Sequence, residues 1–290
     1  MSLSVGRMMN EFMEYLYHYT SLETLALILK NRTICFNNLL YVDDMEEAET
    51  EDMGKFGKLV YVSCWTEDAE ESIPLWNLYT PNMHGVRIKM RKFPFRKYHF
   101  TKGYYYLQDD VDTYIDLEKL YNENKASIAL NEPHLEQVIY TEEREKLFPK
   151  IRTESCEGAL QTFMRAKDMN DLSHYSGEIE YSFRELGIYK RKNWRFQKEW
   201  RYLITISPMG LKDMNPPSLK KQQEQLRKIE DVESKPVYDR LYLEIDQNIM
   251  NEIEIVFGPK MNEAEKILAV SLLKDYCPNA IYRESVLRIK

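Results

Sequence analysis

The chain has 290 residues, of which 43% are hydrophobic and 30% charged, with a formal net charge of −7. That is enough to bury a full core in one large domain, or in one domain with a sizeable insertion, and the acidic balance excludes a chain-wide polyanion binder. No apolar run approaches the roughly 20 residues of a membrane helix, and the N-terminus has no signal-peptide core, so a cytoplasmic protein without a membrane partner is expected.

Residues 8–14 predict a short lead-in helix. Residues 15–19 read as an aromatic strand containing His18. Thr20 and Glu23 form a capping box for an amphipathic helix over 21–30, whose apolar face is Leu22, Leu25, Ala26 and Leu29. Asn31 is its stop, and Thr33–Phe36 is the next strand. An acidic run over 43–52 follows, then the β-rich Leu59–Trp65. Ser72–Tyr79 reads as a helix with Pro74 in its first turn, and Gly85–Met90 alternates as a strand. Residues 108–187 are charged and poor in β-branched runs. Their patterns, for example Asp110–Ala126 and Glu142–Met169, predict a helical insertion. Trp200–Ile206 is again a strand, and residues 216–235 are a polar helix or excursion. The C-terminal part reads as strands over 237–244 and 253–257, a helix over 262–275, and strands over 279–283 and 286–289. The expected class is α+β: a split, twisted, mainly antiparallel sheet from a core of 10–107 and 188–290, with the insertion 108–187 between.

The four cysteines lie far apart, without C-x-x-C spacing, so a structural zinc site is not expected. Glycine-rich nucleotide loops, the G-x-S-x-G elbow and H-E-x-x-H are all absent. His18, at the junction of a strand and a helix, reads either as a donor to ligand hydroxyls or as a satisfied structural imidazole. Trp76 and Tyr79 share a helix face; Tyr79 is a stacking platform or a core anchor, and Trp76 reads as core. Strand alternation puts Glu199 and Arg201 on one face, as a ribose-orienting carboxylate beside a cation or as a simple ion pair. The acidic run has carboxylates for a hard cation but lacks the spaced glycine of a calcium loop. It reads as a solvated helix face, and no metal is required. Two basic, aromatic stretches, 87–102 and 190–201, suit a pyrophosphate or a stacked single strand, or else lysines and arginines guarding strand edges.

The order of several motifs resembles the bacterial domain of unknown function 2971 family. These are Tyr17-His18-Tyr19-Thr20-Ser21, Asp43-Asp44-Met45-Glu46, Cys64-Trp65, Trp76-Asn77-Leu78-Tyr79 with His84-Gly85, Lys198-Glu199-Trp200-Arg201, Phe257-Gly258-Pro259-Lys260-Met261 and Ser285. The family usually has Asn-Asp where this chain has Asp43-Asp44. More distantly, a His on the first strand, a mid-chain Tyr and a late Glu are similar to the His-Tyr-Glu class of ADP-ribosyltransferases. That resemblance implies NAD as substrate, with His18 on the adenosine ribose, Tyr79 against nicotinamide and Glu199 as the catalytic carboxylate. Tyr19, Thr20, Trp76 and Arg201 would complete the cofactor site. The acceptor would be a protein or nucleic acid, in a transferase that would suit a toxin or phage-defence effector. The alternative is a non-catalytic nucleotide- or nucleic-acid-binding module; a third is a structural protein.

Overall fold

A computed structural model describes residues 14–153, 156–172, 175, 177–214 and 218–290. The lead-in helix expected over 8–14 lies outside them but for Glu14. The first half runs β1 (Tyr15–Ser21), α1 (Leu22–Asn31), β2 (Thr33–Asn38), β3 (Val60–Thr66), α2 (Ile73–Tyr79), β4 (Gly85–Arg91), β5 (Tyr98–Phe100) and β6 (Val111–Thr113). The middle runs α3 (Leu117–Glu123), β7 (Ser127–Ile128), β8 (His134–Gln137), β9 (Ile139–Thr141), α4 (Arg144–Leu147), α5 (Cys156–Arg165) and β10 (Tyr189–Arg191). The last part runs β11 (Glu199–Ser207), α6 (Leu219–Glu230), β12 (Arg240–Glu244), α7 (Gln247–Met250), β13 (Glu254–Phe257), α8 (Glu263–Tyr276) and β14 (Ile281–Glu284).

The fold is α+β, with a mixed, mostly antiparallel main sheet. Its order is β12-β2-β3-β1-β4-β13-β14, and β11 adds to β3 and carries β7 and β8. One edge of β3 pairs with β11 along its whole length, from Glu199 opposite Thr66 to Thr205 opposite Val60. The other edge is shared. β2 takes Tyr61 and Val62, while β1 takes Thr66. Between them Ser63, Cys64 and Trp65 face no paired strand on that edge. The sheet is therefore split between β1 and β2, and α1 bridges the two.

Local chemistry fixes the elements around the split. The N-cap of α1 is Ser21, whose hydroxyl accepts from the Thr24 N–H at 3.1 Å. The expected cap, Thr20, is still strand, because all seven residues of β1 are matched by β4. Ser72 caps α2 and Pro74 fits its first turn, where a missing N–H costs nothing. Gly85 starts β4 so close to β1 that a Cβ there would lie 2.4 Å from the Thr20 carbonyl oxygen. One core packs α1 and α8 against the sheet through Leu25, Leu29, Trp65, Trp200, Ala269 and Leu273. Smaller clusters lie around Phe56 and around Tyr19 with Trp76.

The segment 108–187 is not the run of helices that its pattern predicts. Asp110–Ala126 holds a short strand and the seven-residue α3, and Glu142–Met169 holds two short helices. β7 and β8 pair with β11 and so belong to the main sheet. Strand formation follows an available partner edge more than composition, and β11 offers one. Residues 286–289 form no strand. No helix among the described residues is long and apolar enough to cross a membrane.

Candidate functional site

The split in the sheet opens into a cavity of about 470 Å3, lined by residues of β1, α1, β2, β3, β4, β10 and β12, the end of α2 and the start of β11. Its lining includes His18, Tyr79 and Glu199, which are widely separated in sequence. Register makes this convergence unexpected. Tyr17 and Glu199 both face Thr66, so they share a sheet face, and His18 points to the other. The gap between β1 and β2 lets side chains from both faces line one space.

The Nδ1 of His18 lies 2.9 Å from the Cys64 carbonyl on the unpaired edge of β3. A carbonyl only accepts, so Nδ1 carries the hydrogen and Nε2 is left as an acceptor in the neutral ring. Burial holds the imidazole below its usual pKa, against the opposing pull of that carbonyl. The ring rests on Trp65, with centroids 5.0 Å apart. His18 is thus a fixed, neutral acceptor at neutral pH.

Lys198, left-handed at φ 44, ends the turn Lys192–Gln197 and sends the chain into β11. Glu199, next along and 3% exposed, accepts from Arg201 Nε at 2.6 Å and from Lys190 Nζ at 3.0 Å. Arg201 also donates to Glu47, and to the Gly187 carbonyl at 2.9 Å. Gly187 presents that carbonyl from a left-handed φ of 78°, which favours glycine. Lys190 lies 3.2 Å from Glu47 Oε1 and donates to Gln197 at 2.8 Å. Two carboxylates and two cations balance, with every side chain at most 4% exposed. Burial opposes ionisation of Glu199, but Arg201 and then Lys190 override it and hold its pKa at about 2. Gln197 extends the network by donating from Nε2 to the Tyr79 hydroxyl. Burial, and then the charge of Glu199, raise the Tyr79 phenol well above its ordinary value, so it stays a donor. Burial and Glu199 likewise keep Cys64 a thiol.

Tyr19 and Thr20 also line the cavity, and the Tyr19 hydroxyl accepts from the Ser72 N–H at 3.0 Å. Trp76, expected among the cofactor contacts, is 0% exposed and does not reach the cavity. It packs edge-on to Tyr19 and donates to Glu71 at 3.1 Å, because its apolar bulk and single donor are both satisfied inside the core. Arg201 lines the cavity, but its bonds go to protein groups, so it positions Glu199.

The acidic run is not a solvated face throughout: Glu47 turns inward to Arg201 and Lys190, and Glu46 pairs with Arg191. Several cations of both basic stretches are paired within the chain, some buried and some at the surface. Arg87 is buried over Tyr17 and donates to the Ala69 carbonyl, Lys89 pairs with Glu254, Arg96 with Glu244 and Lys198 with Asp68. Sequence reasoning missed Glu47, Lys190 and Gln197 as partners of the site, since nothing local separates Glu47 from its acidic neighbours. Among the described residues, no group of three or more His, Cys, Asp or Glu is placed to hold a metal ion. Comparison of the chain with family models, curated proteins and solved structures returned no match.

Proposed function

We propose that the cleft binds NAD and that the chain is an ADP-ribosyltransferase-like enzyme acting at the nicotinamide ribose. One observation carries this reading: His18, Tyr79 and Glu199 line a single cavity of about 470 Å3, within the size range of small-molecule sites. The motifs that resemble the domain of unknown function 2971 family support it, since Tyr17–Thr20, Asp43, Cys64–Trp65, Tyr79 and Glu199 with Arg201 all contribute to that lining.

The chemistry asked of each group is modest. Neutral His18 accepts a ribose hydroxyl at Nε2. Tyr79 gives a ring face to nicotinamide and a protonated hydroxyl. Glu199 accepts from Arg201, Lys190 and the Cys64 thiol, and of the roughly four lone-pair sites of a carboxylate this leaves about one for a ribose hydroxyl. The C–N bond to nicotinamide breaks with its electron pair leaving on the ring nitrogen. A nucleophile then bonds to the ribose carbon and loses its proton, while the fixed carboxylate faces the positive charge that develops between. The test is incubation with NAD labelled on nicotinamide, comparing the wild type with Glu199→Gln. Release by the wild type and a loss of at least about 100-fold in the variant are expected. No release by the wild type, with or without a protein or nucleic-acid acceptor, rejects the reading.

A second reading, a non-catalytic nucleotide-binding module, is favoured by the engagement of both Glu199 oxygens with buried cations. It predicts NAD binding with no nicotinamide release.

A further inference from the structure

We infer that the outer end of the cleft is a subsite for the phosphate and one planar ring of the ligand, formed by Arg240, Tyr242 and Tyr41. The inference takes from the proposed function only the idea that the ligand is a nucleotide.

Register places these groups. Arg240 faces Asn37 and Tyr242 faces Cys35 across β12 and β2. Asn37 in turn faces Val62, and Val62 faces Leu203. Residues directly opposite share a face, as do alternate residues of one strand. Arg240, Tyr242 and Glu199 therefore stand on the same face of the sheet, and all three line the one cavity. From β12 to β11 is three interstrand steps, about 14 Å, and from Leu203 back to Glu199 is about 13 Å along the strand. A single nucleoside does not bridge that diagonal. Two nucleosides joined by a diphosphate do, with an arginine reaching inward from one end.

The charges and rings single out this end. Three cations line the cleft: Lys190, Arg201 and Arg240. The first two are bound to Glu47 and Glu199. Arg240 is exposed and makes no ion pair within 4.0 Å among the described residues; it hydrogen-bonds the Tyr242 hydroxyl, with the Cys35 thiol and, farther off, the Asp239 carboxylate beside it. The bond to Tyr242 uses one of the five guanidinium N–H donors and leaves others to meet a phosphate. Tyr41 and Tyr242 are 55% and 46% exposed although they line a cavity, so their ring faces are open to a planar partner. Asp43, also on the wall, is exposed, so water weakens its opposing charge without cancelling it. An arginine that merely guards edge strand β12 from aggregation predicts no dependence on ligand class.

The test measures binding of ADP-ribose, AMP and adenosine to the full chain at fixed salt. Arg240→Gln is expected to weaken ADP-ribose and AMP by about tenfold and to leave adenosine within about twofold. Arg240→Lys recovers part of the loss, Asp43→Asn tightens the phosphate ligands, and Tyr41→Ala with Tyr242→Ala weakens all three. Circular dichroism of each variant checks folding, and these side chains are at the surface. Equal affinity of wild type and Arg240→Gln for ADP-ribose overturns the subsite, as does an equal loss for adenosine, or no nucleotide binding by the wild type. ADP-ribose binding that depends on Arg240, without nicotinamide release from NAD, overturns the catalytic reading and leaves the subsite standing. Release with an unchanged KM in Arg240→Gln overturns the subsite alone.

Discussion

Glu199→Gln keeps the shape of the side chain and removes its charge. The native carboxyl titrates at about 2, against 4.5 for an unpaired glutamate, because Arg201 and Lys190 outweigh the burial that opposes ionisation. At about 1.4 kcal/mol per pH unit, that displacement contributes about 3 kcal/mol to native stability. The figure agrees with the roughly 3–5 kcal/mol lost when one partner of a buried ion pair is removed. The sign follows from the direction of the shift. The native carboxyl binds its proton later than the unfolded one, so the stability is complete above about pH 4.5 and is lost as pH falls towards 2. Urea unfolding of wild type and variant, at pH 7 and at steps from pH 5 to 2.5, measures both effects. The variant is expected to be about 3 kcal/mol less stable at pH 7, and the two stability curves should converge below pH 4.5. A difference under about 1 kcal/mol at pH 7, or curves that fall in parallel with pH, refutes the view that Arg201 and Lys190 hold this carboxylate ionised.

Glu47→Gln and Lys190→Met each leave a buried charge unbalanced and should each cost about 3–5 kcal/mol by chemical denaturation. The double variant restores balance between Glu199 and Arg201 and should cost less than the two single losses together by at least about 1 kcal/mol; additivity would show that they do not act as one network. Gly85→Ala places a methyl against the Thr20 carbonyl and Thr80, so thermal unfolding should show a loss of about 1–3 kcal/mol, and an unchanged midpoint would contradict the close approach of β1 and β4. Trp76→Phe should lower stability while leaving nucleotide affinity within about twofold, whereas Tyr79→Ala should weaken that affinity by about tenfold or more. The reverse order would return Trp76 to the binding site.

The sequence carried much of this because its signals are local. Ser72 and Pro74 mark the start of α2, and Leu25 and Leu29 the buried side of α1. The alternation of Glu199, Trp200 and Arg201 already assigns faces within β11, and the cleft uses that assignment. The same locality explains the failures. Glu47 sits in a run of carboxylates, and only its distant partners Arg201 and Lys190 distinguish it. Segments 127–128 and 134–137 carry no strong strand pattern of their own and become strands because β11 presents an edge to them. Whether His18 and Glu199 could share a site was beyond any period of 2 or 3.6, since strict alternation puts them on opposite faces. Tertiary structure decided it by pairing β1 and β2 with different parts of one edge of β3. Which residues lie together within an element follows from backbone geometry. Which elements lie together, and where a sheet leaves a gap between them, follows from long-range register that no local period encodes.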